Sequence, residues 1–228
     1  MRIIITSWNC QGGSAAKLAA SRGSILTDNN NILLLQEVGS LEERYILREN
    51  SQIIGRTKYK TYYAEQENVK NKRCTTGVLV ADNIATTYAV KFSSVRLDDV
   101  KRPFVYCILS VNGKLLYIST IHATANHRVS PDEIARICEY WKQVCKGTQN
   151  EWILMGDMNA DSEELPSELQ SYIIAPDEPT QKSGGTLDYV LASKIIQDYF
   201  VAYDNKIIRV DSAYRDSDHL AIQIAVDI

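Results

Sequence analysis

The sequence predicts an α/β sandwich in which two sheets pack face to face. Many short apolar runs have the length of strands, and only a few segments with helical spacing separate them. The 228 residues are 45% hydrophobic and 23% charged, which is a normal globular balance with ample material for a core. We therefore expect one domain that covers residues 1–228.

The predicted strands are short and largely buried. The run Lys114–Ile121 shows only partial alternation of polar and apolar residues, which favours a well-buried strand. The polar segments 55–75 and 160–185 are predicted to form surface loops. The predicted strands cover residues 2–8, 32–36, 76–81, 104–110, 115–122, 152–156, 186–192 and 219–226.

The clearest predicted helix follows Ser130. This residue is the expected N-cap, Pro131 suits the first helical position, and Glu133 is placed to close a capping box. Gly147 is expected to end the helix. Further helices are predicted to start at Ser14 and Ser40. The helix after Ser130 has a predicted core stripe of Ile134, Ile137, Cys138, Trp141, Val144 and Cys145.

The overall charge excludes some modes of action. The formal net charge is −3, which argues against a protein that holds nucleic acid by general positive charge.

Five cysteines without paired spacing predict single buried thiols, with neither a disulfide framework nor a zinc site. No apolar run approaches the roughly 20 residues that span a bilayer, and the start of the chain lacks a signal-peptide pattern. We expect a soluble protein that is cytosolic or a mature form.

Polar residues suited to phosphate chemistry follow or precede the predicted strands. A charged group beside an apolar strand is costly unless it is paired, hydrogen-bonded or bound to metal. Carboxylates are hard ligands for Mg²⁺, and imidazoles exchange protons near neutral pH. The pattern therefore favours hydrolysis of phosphate esters. The residues are Glu37, His122, Asp157, Asn159, Asp188, Asp218 and His219.

Each of these residues also has an ordinary structural interpretation. Glu37 suits a helix cap or a surface acid, His122 a buried core histidine, and Asp188 the anchor of a turn. Asp218 and His219 suit a turn before the last strand. The order of the segments along the chain decides between the interpretations.

That order is Trp-Asn, Gln-Glu, a strand ending in His, Gly-Asp-x-Asn, Leu-Asp-Tyr and Ser-Asp-His, from Trp8 to about Ile222. It resembles the endonuclease/exonuclease/phosphatase superfamily, whose members include deoxyribonuclease I. The resemblance implies a DNase I-like, four-layer α/β/β/α sandwich. It also implies Mg²⁺-dependent hydrolysis, with Mn²⁺ or Ca²⁺ as substitutes.

Within the superfamily, the sequence most resembles the catalytic B subunit of cytolethal distending toxins. The segments Trp8–Ala16, Gln36–Leu41, Arg102-Pro103 and His122–Asn126 carry this likeness. It implies a largely sequence-independent deoxyribonuclease acting on DNA in a host nucleus after secretion; a cytoplasmic location is the alternative. It also implies lectin-like or ADP-ribosyltransferase-like delivery subunits as partners.

The resemblance assigns metal and phosphate contacts. Glu37 is the implied principal Mg²⁺ ligand, with Asn9 beside it and Asp218 in support. Arg102 and Arg73 are the implied phosphate-contacting arginines.

The resemblance also assigns the proton-transfer residues. Asp157 would orient or deprotonate the attacking water, and Asn159 would bind a phosphate oxygen or steady that water. His219, held by Asp188, would contact the scissile phosphate. His122 would protonate or hydrogen-bond the leaving oxygen. No glutamate is named as the partner of His122.

Other functions stay open at this point. A phosphatase of the same fold, acting on phosphoinositides, would use the same residues, and a non-catalytic scaffold could keep the fold. His127 is predicted to be a solvated loop residue. The basic stretch from Lys58 to Arg73 suits either a solvated surface or a contact with the DNA backbone.

Overall fold

Two six-stranded sheets form the centre of the computed structural model, which describes residues 1–12, 17, 31–39, 57–64, 76–211 and 217–228. The first sheet has the spatial order β11 (Arg209–Val210), β12 (Ile222–Asp227), β1 (Arg2–Asn9), β2 (Ile32–Gln36), β4 (Thr76–Ala81) and β3 (Tyr59–Ala64). The second has the order β5 (Lys91–Val95), β6 (Phe104–Val111), β7 (Lys114–His122), β8 (Glu151–Asp157), β10 (Asp188–Ala192) and β9 (Ile173–Ile174).

Every predicted strand is present, but the edge strands were not predicted. The predicted loops 55–75 and 160–185 contain β3 and β9, and β5 and β11 were also missed. All four lie at the edges of their sheets. Edge strands are short or half-exposed, so they lack the continuous apolar run that marks a central strand. The last predicted strand begins later than expected, at Ile222, which leaves His219 in the segment before it.

The sheets pack on each other through a shared apolar core. Ile5 and Leu34 of the first sheet belong to the same buried cluster as Val105 and Ile118 of the second. Close packing of two apolar faces is the main source of stability in a sandwich. The predicted α/β sandwich is therefore confirmed.

Helix α2 (Ser130–Cys145) covers the outer face of the second sheet. The other described α-helices are short, α1 (Asp82–Thr87) and α3 (Lys194–Gln197), and 3₁₀ turns occupy Ser162–Glu164 and Ser167–Tyr172. The predicted α2 stripe is confirmed: its first four members are fully buried, and Val144 and Cys145 are half-buried. The predicted helices at Ser14 and Ser40 lie outside the described residues.

The predicted capping box at the start of α2 is wrong. Ser130 is the first helical residue, and its hydroxyl donates to the carbonyls of Asn126 and Asn159 at 3.1 and 2.9 Å. The Glu133 carboxylate accepts hydrogen bonds from other segments of the chain. Tertiary partners have replaced the local ones that the sequence pattern predicts.

The cysteines behave as predicted where they are described. Cys10, Cys107 and Cys138 are buried free thiols, and Cys145 is half-buried; Cys74 lies outside the described residues. No helix in the described part of the chain is long and apolar enough to cross a membrane.

Candidate active site

The site lies where strand ends of both sheets meet. Strands β1 and β2 run parallel and pair Asn9 with Gln36, while β7 and β8 run parallel and pair His122 with Asp157. Parallel strands end at the same edge of a sheet, so these termini face one cleft. Strand β10 enters from the opposite direction and places Asp188 opposite Asp157.

Asp157 is at the centre of the contacts and is 1% exposed. Its Oδ2 accepts a hydrogen bond from the Asn9 amide at 2.8 Å, and its Oδ1 accepts one from the Asn159 backbone N–H at 3.0 Å. The Nε2 atoms of His122 and His219 each lie 3.6 Å from Oδ2. One carboxylate oxygen is therefore flanked by both imidazoles.

Burial and a neighbouring charge make this carboxylate unusually basic. Burial, and then the negative charge of Asp188, raise the pKa of Asp157 to about 7, although His219 and the bonds from Asn9 and Asn159 oppose the rise. The Asp157 carboxyl group can therefore both accept and release a proton near neutral pH.

His219 is held between carboxylates. Its Nδ1 lies 2.8 Å from Oδ2 of Asp188, and its Nε2 lies 3.8 Å from Oδ1 of Asp218. Burial opposes the charge, but the hydrogen bond to Asp188 and the nearby carboxylates outweigh it and raise the pKa of His219 to about 9. His219 is therefore an imidazolium cation at neutral pH.

His122, unlike His219, is uncharged at neutral pH. Burial, followed by the positive charges of Arg102 and His219, lowers the pKa of His122 well below its usual range. Its Nε2 lies 3.6 Å from Oε1 of Glu37, the same distance as from Oδ2 of Asp157, so this nitrogen is near two carboxylates without a hydrogen bond to either, and Nδ1 has no hydrogen-bond partner among the described residues. His122 is a neutral imidazole beside a carboxylate.

The predicted metal ligands Glu37, Asn9 and Asp218 converge on the same edge. Glu37 follows β2 in a left-handed conformation with φ 48°, and its side chain is 18% exposed. The Asp218 side chain is 45% exposed, but its Oδ1 is buried, and apart from the His219 ring at 3.8 Å it has no hydrogen-bond partner among the described residues. An unsatisfied buried carboxylate oxygen is costly, and a divalent cation would satisfy it. The donor set therefore fits the hard cation that the sequence predicts.

A second group of possible ligands lies beside this one and contacts it through Asn9 and Asp218. The ligand atoms of Asp157, Asp188 and His219 lie within 4.8 Å of one another. In the metal-free protein the raised pKa of His219 favours the imidazolium form, so this group is also an ion-pair network.

Asn159 and Arg102 lie beside the site, and both contact the chain after His122. Strand β8 ends at Asp157 and Asn159 has φ 48°, so Asn159 is not on the extended backbone of that strand. The Asn159 amide donates to the carbonyl of Ala123 at 2.9 Å, and Arg102 Nη1 donates to the carbonyls of His122 and Ala123 at 3.2 and 3.1 Å. Arg73 lies outside the described residues.

Two supporting residues were given no role from the sequence. The buried Thr180 hydroxyl accepts the backbone N–H of Asp188 at 2.9 Å and fixes the start of β10. The buried Gln36 amide donates to Thr120 at 2.6 Å, which ties the two sheets together directly below Glu37. Thr180 lies in a polar segment without periodicity, whereas the position of Gln36 next to Glu37 was the available signal.

The residues outside the cleft agree with their predicted exposure. His127 is exposed and lies 3.2 Å from Glu164. In the basic stretch, Lys58 lies 3.5 Å from Asp82 and Lys60 is exposed, while residues 65–75 are outside the described part.

Buried Asp–His pairs at one edge of a two-sheet sandwich suit metal-assisted hydrolysis of phosphate esters. The chain belongs to the endonuclease/exonuclease/phosphatase family, whose family model matches residues 6–219. The wider resemblance predicted from the sequence is thus confirmed. The narrower likeness to a toxin subunit stays a prediction.

Solved structures of low sequence identity share the fold. Truncated Caenorhabditis elegans TDP2 is 17% identical with a TM-score of 0.70, covering 100% of this chain and 98% of that one. The human Nocturnin catalytic domain with bound sulfate is 16% identical with a TM-score of 0.69, covering 99% and 93%. D. rerio TDP2 complexed with single strand DNA product is 14% identical with a TM-score of 0.66, covering 100% and 99%. No curated protein sequence matches the chain.

Proposed function

We propose that the protein is a Mg²⁺-dependent deoxyribonuclease that hydrolyses DNA phosphodiester bonds by direct attack of water. The observation that carries the proposal is the position of Asp157 Oδ2, which lies 3.6 Å from Nε2 of both His122 and His219. His219 is a cation and His122 is neutral because the surroundings of the two imidazoles differ. A base, a cation and a neutral donor therefore face one small space.

Each of these groups has a distinct task. Asp157 accepts a proton from water as the water oxygen forms its bond to phosphorus, and a pKa of about 7 suits this role. The His219 cation stabilises the negative charge that builds up on the phosphate oxygens. Neutral His122 donates a hydrogen bond to the ester oxygen as its bond to phosphorus breaks, and the leaving alkoxide takes its proton from solvent water. No covalent intermediate with the protein is needed.

The metal ligands are proposed to be Glu37, the side-chain oxygen of Asn9, and Asp218. A bound Mg²⁺ would neutralise charge on the phosphate and polarise its oxygen. Arg102 lies close enough to His122 to assist with phosphate binding once its guanidinium is engaged by substrate.

DNA is the favoured substrate class for two reasons. The motifs suit phosphate-ester chemistry and contain no base-reading element, which fits sequence-independent cleavage of a long phosphodiester chain. A structure of the same fold, D. rerio TDP2, is described with a single strand DNA product. The toxin role, the delivery subunits and the site of action in a host nucleus rest on the sequence resemblance alone.

Plasmid nicking tests the proposal. Purified protein with Mg²⁺ should convert supercoiled plasmid to the relaxed form, and EDTA should stop it. D157N and E37Q should each lower the rate by at least about 10²-fold, as expected for loss of a proton-transfer or metal-binding group. E163Q removes an exposed carboxylate outside the site and should retain the wild-type rate.

A parallel assay on inositol lipids separates the main alternative. Phosphate release from phosphoinositides without plasmid nicking would replace the nuclease proposal with a phosphatase of the same fold. Equal inactivity on both substrates, with Mg²⁺ or Mn²⁺, would contradict both.

A further inference from the structure

Glu133 is a buried carboxylate on helix α2, and it is 1% exposed. Its Oε2 accepts the backbone N–H of Thr124 at 2.8 Å, and its Oε1 accepts the Thr124 hydroxyl at 2.8 Å and the backbone N–H of Lys101 at 3.0 Å. A buried carboxylate persists only when such bonds compensate for its lost hydration. Both acceptor oxygens are therefore committed to two loops outside the helix.

Those loops carry two residues of the candidate site. Lys101 directly precedes Arg102, and Thr124 follows His122 by two positions. Arg102 Nη1 then donates to the carbonyls of His122 and Ala123. The chain thus forms a closed ring of contacts, in which Glu133 holds the backbone on both sides and Arg102 links the two segments.

The start of the same helix also holds Asn159. The hydroxyl of Ser130 donates to the Asn159 carbonyl at 2.9 Å, and the Asn159 amide donates to the Ala123 carbonyl at 2.9 Å. Packing of α2 onto the sheet does not require Glu133, since its apolar stripe already forms that contact. The bonds of Glu133 instead fix where the two loops lie relative to the helix.

We propose that Glu133 is a positioning residue that sets the location of His122 and Arg102 for attack on the phosphate ester. The proposal rests on the proposed hydrolytic function and names a residue outside the set that contacts substrate or metal. Displacement of a catalytic group by about 1 Å can cost about 10²-fold in rate, so loss of this anchor has a measurable effect.

The isosteric variant E133Q tests the role. Glutamine keeps one acceptor oxygen but turns an NH₂ group toward a backbone N–H, so one loop loses its anchor. We expect kcat on plasmid to fall about 10- to 100-fold, with a smaller change in KM. E139Q makes the same charge change on the exposed face of α2 and should match the wild type. Thermal melting sets the assay temperature well below unfolding of every variant.

A double variant separates positioning from general destabilisation. If Glu133 acts through Arg102, E133Q should reduce kcat by a smaller factor in an R102K background than in the wild type. An equal factor in both backgrounds would overturn the part of the proposal that concerns Arg102, and wild-type kcat in E133Q would overturn the whole proposal.

Hydrogen exchange keeps this proposal separate from the proposed function. Amides in the segments 99–103 and 122–126 should exchange faster in E133Q than in E139Q or the wild type. Equal protection would overturn the positioning role even in an active enzyme. An inactive wild type with the expected exchange pattern would overturn the nuclease proposal while retaining Glu133 as the anchor of both loops.

Discussion

Asp157 and Asp188 are direct partners across the antiparallel strands β8 and β10, so two buried carboxylates lie side by side. Like charges at such positions repel each other strongly unless a cation intervenes. His219 supplies that cation, with Nδ1 2.8 Å from Asp188 and Nε2 3.6 Å from Asp157. The three groups therefore form one ion-pair network.

The variant D188N should lower the pKa of His219. The substitution removes the acceptor charge that most favours the imidazolium form. NMR titration should show that the His219 ring loses its proton at a lower pH than in the wild type. Plasmid nicking should fall by about 10²-fold or more. D177N changes an exposed aspartate and serves as the control. An unchanged titration midpoint in D188N would contradict the assigned contact.

Between pH 6.5 and about 9, the stability of the metal-free protein should decrease as the pH rises. A folded-state pKa of about 9 for His219, against 6.5 ordinarily, gives stability that is full below pH 6.5 and is lost as the pH rises through 9. The shift corresponds to roughly 3 kcal/mol for this buried side chain. The raised pKa of Asp157 acts in the same direction between pH 3.8 and about 7.

Urea unfolding in EDTA between pH 6.5 and 9 measures this dependence. The variant H219N lacks the titrating group, so its curve should be flatter over that range. A wild-type stability that rises over the same range would contradict the imidazolium assignment.

Magnesium should stabilise the folded protein through Glu37. A ligand at 100 times its dissociation constant adds about 2.7 kcal/mol, which raises the melting temperature by several degrees. The variant E37Q should lose most of that increase, whereas E163Q should keep it. Full loss in D188N with no loss in E37Q would instead assign the metal to the group of Asp157, Asp188 and His219.

The variant G156A should lower both stability and activity. A Cβ at Gly156 would lie 2.1 Å from the carbonyl oxygen of Ile121. That oxygen is a backbone atom, so it cannot move aside as a flexible side chain could. Ile121 pairs with Gly156 directly before the pair of His122 and Asp157. Forced separation of the strands should cost about 1–3 kcal/mol or more in urea unfolding, together with a lower nicking rate.

Gly185 offers a control for this glycine substitution. A Cβ there meets only ordinary contacts of 3.5 Å and more, so G185A should change the unfolding free energy little. Equal stability of the two variants would contradict the close approach of β7 and β8.

The variant Q36L should destabilise the contact between the sheets. The Gln36 amide donates to Thr120 at 2.6 Å and to Ser7 at 3.1 Å, and leucine would leave both hydroxyls without this donor. The expected loss is about 1–3 kcal/mol in urea unfolding. The exposed variant Q149L is the control, and an equal midpoint for both would contradict a structural role for Gln36.

Periodicity predicted the central strands because their residues are buried on both faces and form apolar runs. It failed for β3 and β5, most of whose residues are half-buried. A sheet edge is defined by a missing neighbour, and a single sequence carries no direct sign of that neighbour.

The site shows the same division. His122 and Asp157 stood out because a polar residue ends an apolar run. The 3.6 Å approach of His122 to Glu37 was not predictable. Strands β7 and β2 belong to different sheets, so the distance between their ends depends on how the sheets pack. Glu133 was assigned to a local cap because its real partners, near Lys101 and Thr124, are distant in the chain.

The order of the strands also bears on when the enzyme is assembled. The second sheet forms from one continuous stretch, residues 91–192, whereas the first needs β1 from the start of the chain and β12 from near its end. Contacts so distant in sequence form late during folding. A nascent chain on the ribosome thus holds His122 and Asp157 long before His219 arrives. Under the proposed function, the nucleic acid of the producing cell is not at risk until residue 219 has been synthesised.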